Sequence, residues 1–128
     1  MPMTILLCTK ETLLQTTLSF RFRKVGWVLK SVSDEAAAKK ALNHSYPDLA
    51  IVDLHMPDYA GLDIIQMLRR EAGAEFPIIA GSQLDEVALI REALRLGASD
   101  FIGKPYRPDE LIIRIQKLTK SISAPVLE

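Results

Sequence analysis

There is no second cysteine in this sequence, no excess of charge and no long apolar run, and each lack removes a class of protein. Cys8 stands alone among 128 residues, which excludes an intramolecular disulfide. With no signal-peptide pattern in "MPMTILL", the expected setting is reducing and cytoplasmic. The 16 basic and 16 acidic residues cancel, so the domain carries no global electrostatic footprint for nucleic acid or an anionic membrane, and any binding is local. The apolar stretches fall far short of the ~20 residues that cross a bilayer. Two histidines, His44 and His55, lack ligand-like spacing, so no metal site is built on them.

What is present is an alternation. The length suits one domain with a real core, expected over residues 1–122, with 123–128 ("SAPVLE") as a disordered tail or linker. Short apolar runs at 4–8 ("TILLC"), 28–32 ("VLKSV"), 48–53 ("DLAIVD"), 77–81 ("PIIAG") and 99–103 ("SDFIG") read as strands. Helical patterns fill the gaps. Leu13, Leu14, Leu18 and Phe22 mark a helix over 11–24 that ends near Gly26. Ser33 or Asp34 caps "EAAAKKALNH". A third helix runs from Leu62 to Arg70 before Gly73, a fourth from Asp85 to Leu96 before Gly97, and Pro108, Asp109 and Glu110 make a favourable first turn for "ELIIRIQKLTKSI". Five rounds of strand and helix imply an α/β fold with a doubly wound, five-stranded parallel sheet. In such a sheet ligands sit beyond the carboxyl ends of the strands. Those ends supply Thr9 and Lys10, Asp53, Ser82 and Lys104.

The segments "DLAIVDLHMPDYAGLDIIQMLR", "PIIAGS" and "GASDFIGKP", in this order and spacing, resemble a two-component response-regulator receiver domain along nearly the whole chain. The resemblance implies a flavodoxin-like (βα)5 fold with strand order 2-1-3-4-5. It implies that Asp53 is the phosphoacceptor position and that Lys104 and Ser82 are phosphoryl-contact positions. Phe101 matches the switch aromatic, Pro105 the family's cis-proline, and His55 the residue whose backbone carbonyl is offered to Mg²⁺. The partners implied are proteins, a histidine kinase or a downstream output domain, with no direct nucleic-acid contact by this domain and no membrane. A homodimer would use the face of the fourth helix and fifth strand, where Arg91, Glu92 and Arg95 stand beside Leu89 and Leu96.

One part of the pattern is missing. Where the family ends its first strand in two acidic residues that hold Mg²⁺ with the acceptor, this chain has Thr9 and Lys10, and Glu11 is acidic one position late. Mg²⁺ takes a shell of hard oxygens with one or two carboxylates. A unit-charge pair at 4 Å is worth roughly 4 kcal/mol at a surface-like dielectric, so exchanging attraction for repulsion against a divalent ion costs on the order of 10 kcal/mol before relaxation. The leading expectation is therefore a divergent receiver, a pseudoreceiver with no metal or other cofactor, acting through protein contacts. Lys10 either reaches Asp53 or points to solvent. The alternative is a working phosphoacceptor that binds Mg²⁺ through Asp53, the His55 backbone and Glu11. An enzyme with Asp53 as nucleophile is disfavoured because no general base or second carboxylate accompanies it.

Overall fold

A computed structural model describes residues 2–120. The strands are β1 (Thr4–Cys8), β2 (Val28–Val32), β3 (Leu49–Asp53), β4 (Ile78–Ser82) and β5 (Asp100–Gly103); the helices are α1 (Thr12–Lys24), α2 (Glu35–Ser45), α3 (Ala60–Ala72), α4 (Val87–Leu96) and α5 (Pro108–Leu118). All strand pairs are parallel, in the order β2-β1-β3-β4-β5. The expected tail, 123–128, lies outside the described residues.

The pleat divides the core in two. Leu6, Cys8, Ala50, Val52, Ile78 and Ala80 face one side, where Ile64, Ile65, Leu68 and Ala93 of α3 and α4 cover them. Ile5, Leu7, Leu49, Ile51 and Ile79 face the other, under Leu18 and Phe22 of α1 and Leu111 and Ile115 of α5. Every residue of β3 and β4 is buried, which explains their unbroken apolar sequence. The edge strand β2 leaves Val28 and Lys30 exposed.

Element boundaries depart from the expected ones where local hydrogen bonds intervene. Pro77 precedes β4 because its carbonyl accepts from Ala50 at 3.1 Å while its ring nitrogen has no proton to donate. At the other end β4 extends one residue further, to Ser82, whose carbonyl accepts from Lys104 N at 2.9 Å. Helix α4 starts at Val87 rather than Asp85 because Glu86 N–H closes a turn on Gln83 O at 3.1 Å. Helix α3 starts two residues before the expected Leu62, after a 3-10 turn over Pro57–Tyr59 in which Asp58 and Tyr59 take φ of 58° and 57°; Ala60 and Gly61 extend the helix without adding to its apolar periodicity. Asp34, not Ser33, caps α2 by accepting from Ala37 N at 2.7 Å.

Candidate functional site

The topological switch lies between β1 and β3, the two neighbours from which the chain departs in opposite directions. Register fixes what meets there. Cys8 pairs with Val52 and Asp53 with Gly81, so Thr9 emerges from β1 beside Asp53.

The Asp53 carboxylate is fully buried. Its Oδ1 accepts from His55 N–H at 2.9 Å and pairs with Lys104 Nζ at 2.8 Å. Its Oδ2 accepts from the Thr9 hydroxyl at 2.8 Å. Thr9 Oγ1 in turn accepts from Glu11 N–H at 3.1 Å, so the threonine links the β1 end to the start of α1. Lys104, whose side chain is 10% exposed, also bonds Glu11 Oε2. One ammonium therefore lies between a buried and an exposed carboxylate. Burial pushes the Lys104 ammonium down, but its hydrogen bonds to Asp53 and Glu11 and their charges prevail, and its pKa is raised.

The other expected positions divide. Lys10 is exposed and forms no ion pair among the described residues; the cation on Asp53 is Lys104. Ser82 is buried, and its hydroxyl donates to Glu86 Oε1 at 3.0 Å. The same Glu86 oxygen contacts His55 Nε2. Phe101 is half-buried against the α3 and α4 side of the core. The Lys104–Pro105 peptide is cis. On α4, Arg95 bonds Glu92 one turn away, which lowers the Glu92 pKa, and Arg91 is exposed. No cluster of three or more His, Cys, Asp or Glu side chains suited to a metal ion occurs among the described residues.

Sequence reasoning gave no role at the site to four residues that the fold brings there. Glu86 stands four residues after Ser82, across the turn that joins β4 to α4, and its contact with Ser82 depends on that turn. Tyr106 and Gly81 form a pair: a Cβ on Gly81 would lie 1.6 Å from the Tyr106 hydroxyl. Glycine at 81 is what admits the ring. That hydroxyl is buried with no hydrogen-bond partner among the described residues; burial first, then the charges of Asp53 and Glu11, push its pKa well above the phenol range. Gly61 serves β3 directly, since a Cβ there would stand 2.6 Å from the Asp53 carbonyl. The helix could not approach β3 so closely with any side chain.

The model of the response regulator receiver domain family matches residues 5–116. The chain belongs to this family. Among curated relatives of the receiver are the two-component response regulator PhoP of Pseudomonas aeruginosa, 34% identical over 125 residues with 94% of this chain and 53% of that protein covered, and the phosphate regulon transcriptional regulatory protein PhoB of Klebsiella pneumoniae, 31% identical over 129 residues with 97% and 55% covered. The chain spans about half the length of the curated relatives it matches. Among solved structures, the receiver domain of the TMAO respiratory system response regulator TorR superposes with a TM-score of 0.87 at 24% identity, covering 95% of this chain and all of that one (100%). The receiver is thus a signalling module of two-component systems rather than an enzyme. No helix among its described residues is long and apolar enough to cross a membrane.

Proposed function

We propose that this receiver has lost Mg²⁺-dependent aspartyl phosphorylation and acts through protein contacts in a fixed state. The observation that carries this is the Asp53 carboxylate, fully buried with both oxygens already satisfied by Thr9, His55 and Lys104. A hydroxyl and an outward lysine stand where two carboxylates would be needed. The remaining acid, Glu11, is turned onto Lys104. Such a donor set does not fit a hard divalent ion: one carboxylate is engaged, one is neutralised by a lysine, and the hydroxyl brings no charge. Without metal, phosphoryl transfer loses the electrostatic stabilisation on which it depends.

The partners suited to this reading are a histidine kinase, bound without being used as a donor, or an output segment. The transcriptional regulators among its relatives are about twice as long as this chain, which is in keeping with an output segment as partner. The face around Arg91, Glu92 and Arg95 on α4, with β5, is the proposed contact surface for these partners or for a second copy.

One observation favours a second reading, a functional phosphoacceptor. Glu11 reaches the same ammonium as Asp53, so a swing of its side chain brings a second carboxylate toward the pocket. Magnesium titration by calorimetry, together with intact mass after incubation with acetyl phosphate, separates the two. The first reading expects no saturable millimolar binding and no phosphoryl adduct. An adduct lost in both Asp53→Ala and Glu11→Gln would establish the second.

A further inference from the structure

On the β4 side of the pocket stands a cluster that the missing acidic pair does not explain. Ser82 is buried at the end of β4, one strand from Asp53. Its hydroxyl, the position expected to grip a phosphoryl oxygen, donates instead to Glu86 Oε1 at 3.0 Å. His55 Nε2 rests on that same oxygen, and the His55 N–H holds Asp53 Oδ1 at 2.9 Å. A chain of contacts thus runs from the acceptor through His55 and Glu86 to Ser82, from β3 to β4. The turn that places Glu86 is closed by its own N–H on Gln83 O at 3.1 Å.

We infer that Glu86 is a latch that denies the pocket to phosphoryl groups, independently of Thr9 and Lys10. This inference rests on the reading of the site as a receiver pocket whose phosphoryl chemistry is disabled. Two effects act together. The carboxylate occupies the Ser82 hydroxyl, a buried donor at the end of the strand next to that of Asp53, so that donor is lost to the transition state. It also fixes a negative charge where a dianion must enter, and like charges at short range in a partly desolvated site repel strongly. The latch side chains are only about one-third exposed on each partner, 36% for His55 and 34% for Glu86, so they form a lid at the pocket rim rather than part of the core. The Thr9 and Glu11 contacts come from the opposite, β1 side. Restoring acidic residues at 9 and 10 therefore rebuilds a metal seat without freeing Ser82.

The test uses the 128-residue chain carrying Thr9→Asp and Lys10→Asp, with and without Glu86→Ala. Each protein is incubated with acetyl phosphate and Mg²⁺. In the step monitored, an Asp53 oxygen attacks phosphorus, the bond to the acetyl oxygen breaks, and acetate leaves with the electron pair. Adduct formation is followed by intact mass. Removal of Glu86 is expected to raise the rate by at least about tenfold, the scale of one freed hydrogen-bond donor, and adding Ser82→Ala should cancel most of that gain. Equal rates with and without Glu86 overturn the latch. A second measurement needs no acid restoration: in the otherwise unchanged chain, Glu86→Ala should speed hydrogen exchange of the amides at 83–87, and unchanged exchange there also overturns it. Failure of the disabled-receiver reading is seen separately, as phosphoryl uptake by the unsubstituted chain.

Discussion

At the scale of single residues, the site is one buried carboxylate balanced by one ammonium. In a pocket of several acids, deleting one relieves repulsion; here, deletion of Asp53 strands the Thr9 hydroxyl and leaves the Lys104 ammonium with Glu11 as its one carboxylate partner. Asp53→Ala is therefore expected to destabilise the fold by about 2 kcal/mol, the cost of leaving buried polar groups unpaired, read as a lower urea midpoint. A stabilised Asp53→Ala protein would contradict the charge balance described. The pH dependence follows from two raised pKa values. Burial pushes the Cys8 thiol from 9.0 up to about 12, and Lys104 is raised by its carboxylate partners despite burial. Both groups hold their protons longer when folded, so their contribution is intact below the unfolded values and is lost as pH rises through the folded ones. Urea midpoints should fall between about pH 9 and 12, less steeply in Cys8→Ala and in Lys104→Met. Cys8 itself is expected to resist thiol reagents until global unfolding, since a buried thiol kept protonated is a poor nucleophile.

At the scale of elements, two glycines decide how closely helices and loops approach the strand ends. Gly61→Ala would drive a Cβ to 2.6 Å from the Asp53 carbonyl, a contact with backbone that no rotamer relieves. The expected loss is about 2 kcal/mol from overpacking, only partly offset by the better helix propensity of alanine. In contrast, Tyr106→Phe removes a buried hydroxyl that lacks a partner and should raise stability by about 1 kcal/mol. Both changes are read by chemical denaturation, and the opposite signs distinguish backbone crowding from polar burial. The "MPDYAG" stretch is legible as motif in the sequence, but the reason for its glycine is the approach of α3 to β3. The left-handed Asp58 and Tyr59 that precede α3 carry no periodic signal, so apolar periodicity points to Leu62 while the helix begins at Ala60.

At the scale of the whole molecule, a ligand that binds only the folded state raises the melting temperature by mass action, about 2.7 kcal/mol at a hundred times its dissociation constant. Millimolar Mg²⁺ is expected to leave the melting temperature of the unsubstituted receiver unchanged and to raise that of the chain with Thr9→Asp and Lys10→Asp. Differential scanning calorimetry at constant ionic strength checks this, with Ca²⁺ or Na⁺ as controls for screening. An upward shift for the unsubstituted chain would mean that Glu11 completes a metal seat.

The alternation of apolar runs with helical periods, the unbroken hydrophobicity of β3 and β4, and the strand-end positions of Thr9, Asp53, Ser82 and Lys104 were all readable in the linear sequence, because period and burial are local properties. The partner of each side chain was not. Thr9 meets Asp53 across 44 positions and Lys104 meets Glu11 across 93, and such contacts depend on register between strands that the sequence brings together only when folded. The sequence leaves open whether Lys10 reaches Asp53 or points to solvent; in the fold it is exposed, and the ammonium on Asp53 is the largely buried one that follows β5, Lys104. Which of two nearby lysines neutralises a carboxylate is a matter of direction in space, and direction belongs to the packed chain.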